Sequence, residues 1–267
     1  MADLSRGLPN QAPLLLMEPP LPDLRHGVVG RNQQALDWLS AWMSPTTAEV
    51  SARQAATTPS VGVALPSSLL LWGAAGAGKS FWLQAWALAR PGLQVYDLEE
   101  ATQAQAFLAS VEAAHVPRVW LIDNIDRASA EVQQALFALF IAIQQTYGPG
   151  SQRLVATARA APAQLVDQLR EDLRTRLGQG LVFELHELDD QEKLQALRER
   201  AFRLGWMSAP IASDYDHLFR YMLARLPRQL GRLMRLLEAL DARALSLKRP
   251  VSLPLMRSLL EENLALF

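Results

Sequence analysis

Cysteine is absent from this chain of 267 residues, which excludes disulfides and thiolate metal sites. The four histidines are scattered and show no ligand spacing. Long hydrophobic runs are missing as well. No segment approaches the roughly 20 uninterrupted apolar residues of a membrane span, and the N-terminus lacks a basic start followed by an apolar stretch and a cleavage site. The expectation is a cytoplasmic protein with no membrane partner. An excess of charge of either sign is also lacking: 26 lysines and arginines face 27 aspartates and glutamates, for a net charge of -1. That balance supplies no global drive toward nucleic acid, although it leaves room for a local basic patch. What remains is a composition 50% hydrophobic and 20% charged, as in soluble globular proteins, with enough length for one large domain plus a small one.

Within it, Gly73, Ala74, Ala75, Gly76, Ala77, Gly78, Lys79 and Ser80 fit the pattern G-x-x-x-x-G-K-[ST]. The run sits between an apolar strand at 69–72 and a helix-like stretch that begins at Ser80 and Phe81 and meets no breaker until Arg90-Pro91-Gly92. Small residues let successive backbone N–H groups turn inward on phosphates. Lys79 can reach the outer phosphates as a point charge, the Ser80 hydroxyl can hold magnesium, and the helix adds its N-terminal dipole. Nucleotide binding is the first functional expectation.

The organisation around this loop is read from periodicity and breakers. A Pro-rich tail to about residue 25 favours extended structure. A helix is expected over 33–43 and a long loop over 44–68. Strand and helix then alternate: strands at 93–98, 119–123, 154–158 and 181–185, helices at 101–115, 131–147 and 164–174. That alternation predicts an α/β fold, a parallel sheet with helices on both faces. From 188 onward the apolar spacing is helical, which predicts a small all-helical lid domain. The expected divisions are 1–25, 26–187 and 188–267, with a nucleotide enclosed between the two folded domains. One further strand carries chemistry. Arg118 is followed by the apolar run 119–122, which ends in Asp123, an acid at a carboxyl strand end beside the loop, able to bind magnesium. Many nucleotide hydrolases follow this acid with a second carboxylate that activates water, but here Asn124 follows, and an amide cannot accept that proton. The site reads as built to hold nucleotide, with weak or absent hydrolysis.

Together these residues resemble the DnaA-related branch of the AAA+ superfamily, over a span from about residue 23 to the end. Val28, Val29, Gly30 and Arg31, with Asn32 and Gln33, look like the family segment that lines the adenine pocket, and Phe81 follows the loop on the same nucleotide. Thr157, followed by Arg159 and Pro162, resembles the polar sensor of the outer phosphate. The segment 173–177 resembles the one carrying the arginine finger, with Arg176 in the finger position and Arg174 as second candidate. Residues 226–230 resemble the start of the second sensor helix, which places Arg228 over the phosphates. Leu226, Leu230, Leu233, Leu237 and Leu240 form one apolar stripe there, and Arg225, Arg228, Arg232 and Arg235 another face. In the tail, Gln11, Leu14 and Leu16 resemble the short peptide by which bacterial replication proteins dock on the sliding clamp of DNA polymerase III.

The resemblance implies an ADP-bound (or ATP-bound) magnesium-dependent regulator of replication initiation. Docked on the DNA-loaded clamp, it would contact ATP-bound DnaA and stimulate its hydrolysis in trans through Arg176. The initiator itself continues into a DNA-reading helix-turn-helix domain that has no counterpart before Phe267, so sequence-specific DNA binding is not expected, while a homodimer is compatible. The competing expectation is an AAA+ adaptor or helicase loader that self-assembles with ATP; Asn124 weighs against it.

Overall fold

The structure, a computed structural model, describes residues 21–43, 67–113, 119–145 and 152–262. They fall into two compact units that divide between Asp189 and Asp190. In the first unit, helix α1 (Gln33–Met43) precedes β1 (Ser68–Trp72) and α2 (Lys79–Ala89). Then follow β2 (Val95–Asp97), α3 (Ala101–Glu112), β3 (Val119–Asp123), α4 (Ala130–Gln145), β4 (Arg153–Ala158), α5 (Glu171–Gln179) and β5 (Leu181–Glu184). The strands form one sheet in the order β2-β3-β4-β1-β5, and every pairing is parallel.

Alternation along the strands divides the core between the two sheet faces. Leu70, Trp120, Ile122, Leu154 and Ala156 pack with Phe107, Leu136 and Phe140 of the helices on one side. Leu69, Leu71, Leu121 and Val155 pack with Leu39, Met43, Trp82 and Leu83 on the other. These central strands are apolar throughout because both faces are covered. At one sheet edge Tyr96, Phe107 and Trp120 stack with centroids about 6 Å apart, and the polar tips are satisfied by Ser110 and Gln152.

Two expectations are corrected. The strand expected over 93–98 is reduced to Val95–Asp97, because the Leu93 N–H turns back to the Arg90 carbonyl. The helix expected over 164–174 is instead a 3-10 turn at Pro162–Gln164, and α5 begins at Glu171. The cause is Gln133 of α4. Its buried side chain donates to the Gln168 carbonyl at 2.9 Å and accepts from the Arg170 N–H at 3.0 Å, taking backbone groups that a continuous helix would have paired internally. As a result Arg174 and Arg176 lie within a helix.

Gly27 shows how closely the segment ahead of the loop approaches the sheet unit. A Cβ at this position would lie 2.0 Å from Cη2 of the nearly buried Trp82 ring. Gly27→Ala must therefore displace Trp82 or its own backbone, and the expected loss is about 2 kcal/mol by urea unfolding. A variant as stable as the parent would show that this segment yields freely.

The second unit is helical: α6 (Asp190–Arg203), α7 (Asp216–Arg225), α8 (Leu230–Leu247) and α9 (Leu253–Glu262). Leu197, Phe219, Leu233, Leu237, Leu240 and Met256 form its buried centre. The leucine stripe of α8 is thus the core face from Leu233 to Leu240, with Leu226 and Leu230 half-buried, while Arg225, Arg228, Arg232 and Arg235 are exposed. Charged ties between helices surround that core. Arg198 of α6 holds Asp216 of α7, Arg200 holds the buried Glu238 of α8, and Arg243 of α8 reaches Glu262 of α9 at 3.0 Å. No described helix is long and apolar enough to cross a membrane.

Candidate functional site

The carboxyl ends of β1, β3 and β4 meet around the loop at 73–80. Because β4 lies between β1 and β3, the Thr157 strand end stands between the loop and Asp123. Gly73 opens the loop at φ 156, where an added Cβ would lie 2.3 Å from the Leu185 carbonyl oxygen, so only glycine fits there. Residues 74–76 are exposed at the tip, and Ala77 and Lys79 are buried at the base. Helix α2 starts at Lys79 behind Gly78 with no side chain capping it, which leaves its first-turn N–H groups for an anion.

Lys79 Nζ donates to the carbonyls of Gly73 and Ala74 at 2.7 and 2.8 Å. Burial holds this ammonium below the ordinary lysine value, against the pull of Asp123 and Asp126. Asp123 is 1% exposed and accepts from Thr157 Oγ1. Burial raises its carboxyl above the usual carboxylate range, although hydrogen bonds from Ser80 and Thr157 oppose that shift. Two hydroxyls and a buried carboxylate are the hard oxygen donors that magnesium takes, and a desolvated lysine with uncapped helix amides suits phosphate. The residues present therefore fit a magnesium nucleotide.

Asn124 has left-handed backbone at φ 54. Its N–H donates to Thr157 Oγ1 at 3.0 Å, and its side-chain Nδ2 donates to Asp97 Oδ1 at 2.8 Å. The segment at 28–33 is fastened by Asn32, a buried amide that donates to the His186 carbonyl at 2.9 Å and accepts from the His186 N–H at 2.8 Å. Val28 and Val29 are half-buried in this segment, and Phe81 stands edge-on to Trp82 with centroids 5.3 Å apart.

Arg176 lies apart from these groups, half-exposed on α5. Its Nη1 donates to Gln144 Oε1, and its guanidinium sits 5.0 Å from the Phe137 ring centroid, both partners belonging to α4. Arg174 on the same helix has a buried Nε with no hydrogen-bond partner among the described residues. Arg228 belongs to the helical unit, in the turn two residues before α8, where it is exposed and 3.5 Å from Asp190. Gln11, Leu14 and Leu16 lie outside the described residues. Sequence reasoning singled out neither Asp97 nor the Asn32 clamp onto His186. Asp97 is separated by 27 positions from its partner Asn124, and Asn32 by 154 from His186, so no local pattern signals either pair.

The five-stranded parallel order, with the glycine-rich loop and the strand-end acid at its carboxyl edge and a separate helical unit, is an AAA+-type architecture. Solved structures with this fold include domain III of the Thermotoga maritima replication initiation protein DnaA, with a TM-score of 0.62 at 18% identity, covering 91% of this chain and 97% of that one. The Aquifex aeolicus DnaA bound to AMPPCP matches with a TM-score of 0.55 at 18% identity, covering 82% and 65% of the two chains. A DnaA bound to AMPPCP and single-stranded DNA matches with a TM-score of 0.57 at 16% identity, covering 86% and 68%. Residues 190–260 match the family model of the Hda lid domain. The helical end is thus similar to the Hda lid domain, and the chain has the fold of DnaA domain III.

Proposed function

We propose that this chain is an ADP-bound negative regulator of replication initiation that stimulates hydrolysis of DnaA-bound ATP in trans. The observation that carries this reading is the Hda lid match at 190–260 on a DnaA-like fold. Asn124 supports it, since an amide following Asp123 suits a site that keeps its own nucleotide. In this reading the 73–80 backbone and Lys79 hold the phosphates, Ser80 and Asp123 hold magnesium, and Val28, Val29 and Phe81 line the base. Thr157 and Arg228 sense the phosphates. A bound magnesium ion neutralises phosphate charge and fixes the nucleotide's orientation; the adjoining residues supply its oxygen ligands. Arg176 is the finger presented to the partner's phosphate, and Gln11, Leu14 and Leu16 dock the chain on the DNA-loaded sliding clamp.

The test is the single-turnover decay of ATP on the cognate DnaA, in the presence of this protein, ADP and clamp loaded on DNA. Faster decay is expected, and it should disappear when the clamp is left out or when residues 1–16 are deleted. No acceleration under any nucleotide condition would overturn the inactivator reading and favour an ATP-assembled adaptor or loader.

A further inference from the structure

Arg159 stands where β4 passes the glycine-rich loop. The carbonyl of the preceding Ala158 accepts from the Gly73 N–H at 3.3 Å, so Arg159 follows directly on the residue that ties β4 to the start of the loop. Buried Asp126 accepts from the Arg159 N–H at 3.2 Å, which fixes the backbone and leaves the side chain to move. That side chain is 45% exposed, and its Nη2 donates to Glu99 Oε1 at 3.3 Å. Glu99 lies just beyond the end of β2, and its Oε1 is also 3.9 Å from Arg127 Nε. One exposed carboxylate is thus shared by two arginines.

The guanidinium also faces the loop electrostatically. Burial is the main reason that the Lys79 ammonium lies low, and repulsion by Arg159 adds to it. Two cations beside one loop share one kind of ligand, an anion. The lysine of such a loop serves the outer phosphates of a nucleotide, and a guanidinium next to it has the fork that grips the oxygens of a further phosphate. That fork is already engaged by Glu99, and the two acceptors compete for it. If Arg159 leaves, Arg127 keeps Glu99 partnered, so the exchange strands no charge.

We propose that Glu99 holds Arg159 back from a third phosphate and so biases this site toward a nucleoside diphosphate. This rests on the nucleotide reading of the 73–80 loop and is independent of any action on DnaA. A triphosphate that uses Arg159 finds it available only in the fraction of molecules in which Glu99 has let go, and its apparent dissociation constant rises by the inverse of that fraction. A diphosphate held by the loop and Lys79 leaves the pair intact and carries no such penalty. An exposed ion pair of this kind sets the penalty at about threefold. Glu99 and Arg159 are in this sense specificity residues, and neither is needed to hold ADP.

Four full-length proteins test it: the parent, Glu99→Gln, Arg159→Ala and the double variant, each titrated calorimetrically with magnesium ADP and with magnesium AMPPCP. Both side chains are exposed, so all four proteins are expected to melt alike. Glu99→Gln should bind AMPPCP about threefold tighter than the parent, with its affinity for ADP unchanged. Arg159→Ala should bind AMPPCP about tenfold weaker, again sparing ADP. On the Arg159→Ala background the gain from Glu99→Gln should vanish, which separates the release of Arg159 from the plain loss of a negative charge. The idea is overturned if Glu99→Gln leaves the ratio of the two affinities unchanged, or if it still strengthens AMPPCP binding once Arg159 is gone. A parent protein that binds neither nucleotide would instead overturn the nucleotide reading itself, so the two failures are distinguishable.

Discussion

Arg176→Ala is expected to abolish stimulation of DnaA-bound ATP hydrolysis while leaving this protein's own nucleotide binding intact. The physical basis is the charge that spreads over a phosphoryl group in transfer, which a guanidinium presented by a neighbour stabilises by about 10³ to 10⁵ in rate. Of the two candidate arginines, Arg174 has its Nε among buried atoms, whereas Arg176 is half-exposed and keeps most of its donors free after one bond to Gln144. Stacking over Phe137 limits the conformations the side chain samples, so less freedom is lost on engagement. Arg176→Lys should fail to rescue, because an ammonium lacks both the planar face that stacks and the fork that grips phosphate oxygens. The measurement is single-turnover decay of ATP on DnaA with the variant and loaded clamp. Full stimulation by Arg176→Ala would remove Arg176 from the role; loss with Arg174→Ala in its place would move the role there.

Lys79→Ala is expected to erase the rise in melting temperature that magnesium ADP produces, yet to leave the ligand-free protein close to the parent. Two opposing effects meet in the ligand-free state. Removing the ammonium relieves its desolvation, while Asp123 and Asp126 lose a neighbouring cation. The signs follow from the direction of each shift. Lys79 is held below its ordinary value, so the folded chain favours the neutral amine and the charge present at neutral pH works against folding. Asp123 is raised, so the stability it contributes is full below the ordinary carboxylate value and is lost as pH rises through its higher folded value. Both groups are therefore strained electrostatically at neutral pH, and phosphate with magnesium supplies the opposite charges. At about 100 times the dissociation constant a nucleotide adds about 2.7 kcal/mol, or roughly 5–10 °C in a chain of this size. A magnesium ADP shift of undiminished size in Lys79→Ala would reject the assignment of Lys79 to the phosphates.

Most of the sheet unit was legible because its signals are local. The helix at 33–43 and the strand at 119–123 coincide with the observed bounds, since each is an unbroken periodic run between breakers. The helix expected over 164–174 failed because Gln133, more than thirty positions away, takes over the backbone groups of Gln168 and Arg170. Apolar periodicity carries no information about such a partner. The site divides in the same way. The loop, Ser80, Asp123 and Thr157 sit at strand ends or in a spaced motif and are brought together by the parallel register. Asp97 closes an ordinary short strand, and only the pairing of β2 with β3 gives it a meaning. The helical unit yielded its core stripe from leucine spacing, whereas its ties, such as Arg200 to Glu238, depend on which helices become neighbours.

The two hydrogen bonds between Asn32 and His186 span nearly the whole sheet unit in sequence, and they make its entry and its exit one mechanical part. The His186 amide is sealed by a side chain from the far end, so it can exchange its hydrogen with solvent only when Asn32 lets go. Protection of that single amide therefore reports whether the 28–33 segment is fastened. A ligand that steadies Val28 and Val29 would write its presence into the chain just before residue 190, without a direct contact at His186.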